Sequence, residues 1–561
     1  MGILQKAVGF AMNTAAGAYW KRFDVDTRRA MAVNESVLKN ILDINKDTEY
    51  GRRYNFAQIL TKQEYKAAVP LATYEDYKEY IDKMAEGKCN ILTSEPVKYF
   101  GLTSGTTGSQ KLIPITSRAR RVVSGHMGLL IQGVLFNTIP DSRRFDKGLI
   151  LMNTVTSGLT RGGIPTGAGT SGGMMSMKRV IPYLWTSPPE ILQITNQPDA
   201  NYLHLLFALK EKNLMYIGST FTAHVLNLFK HMEKTGENLV EDIARGTISK
   251  GMDLDPQIRS CLEKKLHPNP ARADAIDKEF ERGFEGIAKR VWPGLLYLNC
   301  VAGGDFSIYV DKLRFYILDL PIHSAVYAST EAIIGVSLKP GEPSYVVTPR
   351  TAYHEFIPFN EMDSPNPVAL DLDQLSAGKK YEVVVTNLAG LYRYRLGDIV
   401  KMTGYYHQSP VIEFLYRRGQ LINLAGEKTS EQAVCRALSQ AVKQWGHELV
   451  DFTTMADYDI SPGRYIFFVE VNNPAGLSGA TRCPGILEET IGRANPRYLA
   501  ARRAGRIAPL KLIFVKAGTF DRLAKILMEK GASANQLKIP RLIRDGELAN
   551  FLRERTLNSP V

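Results

Sequence analysis

Three short apolar runs, GLILMN (148–153), LMYIGS (214–219) and LLYLNCVAGG (295–304), recur along this chain with long amphipathic stretches between them. Runs of that length read as buried strands, and helices between them supply the crossovers that parallel strands require. The pattern commits this region to an α/β fold. Between Tyr345 and Phe414 the pattern changes, and YVVTP, HEFIP, YEVVVTN and PVIEFLY follow one another with little helical sequence between them. These segments predict a β subdomain that finishes the large domain. A connector, RRGQLINLAGEK (417–428), then leads into the helical EQAVCRALSQAVKQW. A chain of 561 residues is too long for one ordinary core. We therefore expect a large N-terminal α/β domain over 1–425 and a small, mobile C-terminal α+β domain over 426–561.

The stretch VKYFGLTSGTTGSQKLIPIT (97–116) places Gly, Ser and Thr between two apolar runs and adds one lysine, Lys111. A Walker A loop needs glycine before its lysine and Ser or Thr after it, whereas Gln110 and Leu112 flank this one. Val97–Phe100 and Lys111–Thr116 read as strands, with the first helix starting after Ser117. Glycines at 101, 105 and 108 permit close backbone approach, so N–H groups and hydroxyls can converge on phosphate oxygens.

Several function classes are excluded. No apolar run reaches the roughly 20 residues a membrane span needs, the longest candidate being Met127–Phe136 with Gln132 inside it. The N-terminus reads as a first helix, with Lys6 where a myristoylation signal wants Ser or Thr. The five cysteines, at 89, 261, 300, 435 and 483, are far apart and show neither disulfide nor zinc spacing, which fits a reducing cytoplasm. Nine histidines show no ligand pattern either. The net charge of +13 raises nucleic acid as a partner, but residues 490–561 alone carry 15 Lys and Arg against 5 Asp and Glu. That tail contains apolar runs such as LKLIFV (510–515), so it predicts a folded basic module able to close over a polyphosphate.

Residues 157–173, SGLTRGGIPTGAGTSGG, match both G-x-G-x-x-G and G-x-S-x-G, yet the sequence predicts no strand running directly into them. We read them as a mobile loop near a cleft. IHSAVYASTEAIIG (322–335) sets Tyr327, Ser329, Thr330 and Glu331 at the end of an apolar strand, where α/β sheets present ligand-binding groups. LYRYRLGDIVKMTGYY (391–406) places Asp398 in a turn, suited to accept hydrogen bonds from a diol such as a ribose. GASANQLKIPR (531–541) puts Lys538 in an irregular segment.

Taken in order, these motifs resemble those of acyl-adenylate-forming enzymes of the firefly-luciferase-like superfamily. In detail TSGTTGSQK, YASTE, GLYRYRLGD, EFIP (355–358), GEKTSE (426–431) and SANQLKIPR look like the auxin-responsive Gretchen Hagen family of acyl acid amido synthetases. The resemblance spans nearly the whole chain. It implies an ATP- and Mg²⁺-dependent ligase that adenylates a carboxylic acid in the 1–425 domain and passes the acyl group to an amine, an amino acid. By the same resemblance Thr103, Ser104, Gly105, Thr106 and Thr107 with Lys111 hold the phosphates, Ser329 or Thr330 contacts the α-phosphate, and Glu331 holds Mg²⁺. Tyr327 lies by the adenine, Asp398 fixes the ribose, and Arg418, Lys428 and the closing Lys538 complete the site. Acyl-CoA ligases usually have Pro and Gly where this chain has Gln110 and Leu112, and a G-x-R-I hinge where it has LAGEKTSE; both differences favour amide over thioester synthesis. An acyl-CoA ligase remains the alternative. The Gly-rich 157–173 stretch and Leu537 depart from the plant members, so the acid stays open. Partners are small molecules, not nucleic acid or membrane.

Overall fold

The computed structural model describes residues 3–103, 111–178, 180–249, 251–303, 307–418, 421–422, 424–425, 427, 429–457, 459–460, 462–474, 482–530, 532, 537–543 and 545–557. The chain divides into two compact units, Met1–Thr103 with Lys111–Phe414, and Leu415–Val561.

In the first unit β1 (Val97–Thr103) and β2 (Lys111–Thr116) form an antiparallel pair with Thr103 opposite Lys111. After β3 (Leu149–Leu151), strands β4 (Gly158–Leu159) and β5 (Pro165–Gly167) join this sheet, β5 running parallel to β1, in the order 2-1-5-4. Strand β3 opens a second sheet with β6 (Tyr216–Phe221), β7 (Tyr297–Val301) and β8 (Ile322–His323), in the order 3-6-7-8 with every pair parallel. These are the three apolar runs of the sequence plus one short edge. The crossover helix Gln197–Lys210 is buried at every position from Ala200 to Leu209. A helix with apolar residues on nearly every side must lie inside. It packs with Ile217, Phe229, Trp292 and Leu298 into one core, each such burial contributing about 1.5–3 kcal/mol.

The strand-rich region forms a seven-stranded sheet of β9 (Val326–Ala328), β10 (Ile333–Val336), β11 (Ser344–Val347), β12 (Tyr353–Pro358), β13 (Lys380–Thr386), β14 (Tyr394–Tyr406) and β15 (Ser409–Arg417), ordered 12-13-14-15-11-10-9. Helices Ala30–Asn45 and Tyr74–Ala85 bury Leu38, Ile41, Tyr77 and Ile81 against it.

Two local expectations change. Asp398 lies inside β14, not in a turn. The turn signal was real, because Arg393 and Gly397 have φ of 46° and 73° and the β13–β14 register shifts there; the ladder absorbs the kink as a bulge and continues. The 157–173 stretch is likewise not only loop: β5 leads almost directly into a helix, Gly169–Ser176. Ser171 in that helix is fully buried and donates to Asn153 Oδ1 at 2.8 Å, so it is no exposed nucleophile.

The second unit pairs β16 (Leu421–Ile422) with β17 (Thr429–Ser430) and builds a sheet from β18 (Leu449–Asp457), β19 (Arg464–Val471) and β20 (Lys511–Phe514). Helices Glu431–Gln444, Cys483–Ala494, Thr519–Glu529 and Gly546–Glu554 complete an α+β unit. Among the described residues no helix is long and apolar enough to cross a membrane.

Candidate active site

The S-T-E turn between β9 and β10 is held closed by its own backbone. The Ser329 N–H donates to the Ala332 carbonyl at 2.9 Å, and the Ala332 N–H donates to Ser329 Oγ at 3.3 Å. From outside, Asn387 Nδ2 donates to the Glu331 carbonyl at 2.7 Å. The half-buried Glu331 side chain therefore projects from a fixed turn. Behind the turn, Tyr327 Oη donates to Asp398 Oδ2 at 2.9 Å. Asp398 is 1% exposed, and the Tyr327 ring lies between Tyr345 and Phe414, with centroids 5.7 and 5.5 Å away. Two residues 71 positions apart, each singled out by its own motif, thus meet.

The same turn reaches β1. A Cβ built on Gly101 would lie 2.4 Å from Thr330 Cγ2, so glycine is what lets the turn touch β1. At the start of β2 Lys111 Nζ sits 5.1 Å from the Tyr74 ring centroid, while Tyr74 Oη accepts the Leu112 N–H at 3.0 Å. Tyr74 opens a helix whose start is fixed by the Thr73 N–H donating to Asp76 Oδ2 at 2.7 Å. Ser104, Gly105, Thr106 and Thr107 lie outside the described residues, as does Lys428.

A third wall comes from the Gly-rich stretch. Gly169 would place a Cβ 3.6 Å from Thr330 Cγ2, and Gly172 would place one 3.0 Å from the Tyr99 ring and 3.1 Å from Arg120 Nη2. Tyr99 Oη donates to the Ala168 carbonyl at 3.1 Å, and burial pushes its phenol up to about 12. The Arg120 guanidinium lies 5.6 Å from the Tyr99 ring, and burial pulls its pKa down. Sequence reasoning missed Arg120, because S-R-A-R-R reads as a solvated face. It missed Tyr74 and Asn387 for want of any local signal.

Within the second unit Lys538 Nζ lies 3.2 Å from Glu431 Oε2, with side chains 28% and 9% exposed. What fixes its place is the K-I-P-R segment downstream. Thr453 Oγ1 donates to the Pro540 carbonyl at 2.5 Å, and the 2% exposed Arg541 pairs with Asp451 and stacks 4.5 Å over Phe452. Glu427, also missed, is buried and accepts from the Leu424 and Ala425 N–H groups at 2.8 and 2.7 Å and from Tyr465 Oη at 2.6 Å. It clamps the connector next to Lys428 in sequence. Arg418 follows β15 in a turn and is half-buried.

A cavity of about 430 Å³ lined by Arg22, Arg118, Arg121, His126 and Arg350 lies elsewhere in the first unit and contains none of the motif residues. Chemistry, not volume, locates the site. No group of three or more His, Cys, Asp or Glu among the described residues could hold a metal alone. Mg²⁺ needs no such cage when substrate phosphates supply the other ligands, and one hard carboxylate on a fixed turn fits it.

Models of the GH3 family match the chain at residues 19–322 (N-terminal domain), 345–417 (central domain) and 432–547 (C-terminal domain). The chain is 31% identical to the 4-substituted benzoates-glutamate ligase GH3.12 of Arabidopsis thaliana, covering 94% of this chain and 95% of that protein. It is 30% identical to the jasmonoyl–L-amino acid synthetase JAR4 of Nicotiana attenuata, over 93% of each. Its fold superposes on the AtGH3.15 acyl acid amido synthetase bound to 2,4-DB with a TM-score of 0.84 at 28% identity, covering 97% and 96% of the two chains.

Proposed function

The chain belongs to the GH3 family, and from that premise we propose how its residues divide the work of an ATP-dependent acyl acid amido synthetase. In the first half-reaction a carboxylate oxygen attacks the α-phosphorus of ATP; pyrophosphate leaves and an acyl adenylate forms. In the second, the amine of an amino acid attacks the acyl carbon; AMP leaves and the amine gives up one proton. Attacking group and triphosphate are both anionic, so the first step depends on cations and donors aimed at developing charge.

The observation that carries the reading is the S-T-E turn, held between the Tyr327–Asp398 pair and Gly101 of β1. It supports placing the α-phosphate at Ser329 and Thr330, next to the strand that enters the phosphate loop at Thr103. Ser104, Gly105, Thr106 and Thr107 are assigned to the phosphates with Lys111, whose ammonium rests on Tyr74. Asp398 is assigned to the ribose and Tyr327 to the side of the adenine. Glu331 would hold Mg²⁺, which when bound neutralises charge on the phosphates. Arg418, Lys428 and Lys538 are assigned from the second unit, which we propose repositions between the two half-reactions. None of the five cysteines is in a disulfide, which supports a reducing compartment such as the cytoplasm.

ATP–pyrophosphate exchange over a library of carboxylic acids, followed by mass spectrometry of products formed with mixed amino acids, tests the reading. Acid-dependent exchange with amide products is expected. Coenzyme A thioesters in place of amides would move the assignment to the acyl-CoA ligases.

A further inference from the structure

Arg120 is a half-buried cation for which the described residues supply no ion pair. Its Nη2 is shielded from solvent and has no hydrogen-bond partner, and Thr170 Oγ1 is in the same condition on the neighbouring Gly-rich helix. The nearest ring, Tyr99, stays protonated at neutral pH and so provides no countercharge. Arg118, two residues earlier on the same helix, lies 3.4 Å from Glu95. Burying a guanidinium without a carboxylate is costly, and such groups persist where a ligand completes them.

The reaction brings three kinds of anion to the site. The phosphates of ATP are assigned to the hairpin loop and the S-T-E turn. The acid's carboxylate loses its charge on becoming the mixed anhydride of the adenylate, so a cation paired with it would favour substrate over adenylate. The acceptor's α-carboxylate stays ionised throughout. Geometry fits the last of these. Gly169 abuts Thr330 and Gly172 abuts Arg120, three residues apart on the helix, a rise of about 4.5 Å. The amine nitrogen and carboxyl carbon of an α-amino acid lie about 2.5 Å apart, so one molecule can present its amine toward the Thr330 side and its carboxylate toward Arg120. A side chain at Gly172 would fill that niche, which gives the glycines a reason.

We propose that Arg120, assisted by Thr170, holds the α-carboxylate of the amino-acid acceptor; this rests on the amide-forming reading above. Arg120 is then a binding residue of the second half-reaction.

Arg120→Ala and Arg120→Lys in the full chain test it. A charge-assisted hydrogen bond to a carboxylate is lost, so the KM for the amino acid should rise about tenfold or more in Arg120→Ala and recover partly in Arg120→Lys. The loss should not appear in the KM for the acid measured by pyrophosphate exchange, nor with the matching amino-acid amide, which lacks the carboxylate, as acceptor. Arg120→Met should unfold no earlier than wild type, the reverse of what a structural arginine would show. A parallel rise in the acid's KM would hand Arg120 to the acid and overturn the proposal, as would an unchanged amino-acid KM. A wild type that exchanges pyrophosphate but takes the amide as readily as the amino acid overturns it with adenylation intact; a wild type without acid-dependent exchange overturns both readings.

Discussion

Arg393 is a buried arginine of the first unit and Arg120 a half-buried one, and their surroundings differ in what answers the charge. Arg393, 7% exposed at its side chain, donates to both oxygens of the 1% exposed Glu355 at 3.1 and 3.0 Å and to the carbonyls of Lys66 and Val69 at 2.8 Å each. Its charge is closed by the protein. At Arg120 no carboxylate among the described residues answers the guanidinium and a buried Nη2 is left unmatched. The first arrangement holds strands β12 and β14 to the N-terminal helices; the second is where we propose that the acceptor's carboxylate binds. Membership of a motif does not separate the two roles, since Arg393 and Glu355 both sit in family motifs and are structural, whereas Arg120 sits in none.

The largest expected effect breaks the closed region. Arg393→Ala leaves Glu355 buried and unpaired, and should cost about 3–5 kcal/mol of stability, read as a lower denaturant midpoint. A variant that folds normally and only loses activity would erase the distinction between the regions. Lys538 sharpens the comparison, being ion-paired like Arg393 but partly exposed, so its pair with Glu431 is worth at most about 1 kcal/mol. Lys538→Ala should barely shift the midpoint yet slow pyrophosphate exchange by roughly 10²–10³, while amide formation from preformed adenylate stays near wild type. Equal loss in both half-reactions would make Lys538 structural or a participant in the amine step. Asp398→Ala should lower ATP affinity about tenfold, as expected for a charge-assisted bond worth about 1.5–3 kcal/mol, with the fold intact by circular dichroism. Unchanged affinity would move Asp398 to the closed class. Tyr327→Phe removes one neutral donor from Asp398 and should weaken ATP by about fivefold, matching a bond of about 1 kcal/mol, in an equilibrium-binding titration.

Much of this was legible before any coordinates. The parallel strands were, because a strand buried on both faces must be written as an unbroken apolar run. The β1–β2 pair was, because its two apolar runs are local features. Asp398 was found as a residue but misplaced as a turn: G-D with positive φ signals a kink, and only pairing with β13 decides that the strand continues through it. The 157–173 glycines were read as a mobile loop, because the partners they pack against, Tyr99, Arg120 and Thr330, lie far away in the chain.

The sequence by itself determined the chemistry: which groups are present, in which order, on strands of which period, and hence an adenylating ligase of this family. Tertiary structure alone decided which charges are answered. Arg393 reaches Val69 across 324 positions, while Arg120 is turned toward a glycine that offers it nothing. Whether a buried cation is a brace or a binding group depends on what is folded against it. That is a non-local property, set by the low polarity of the interior and by the partner that the chain brings there or withholds.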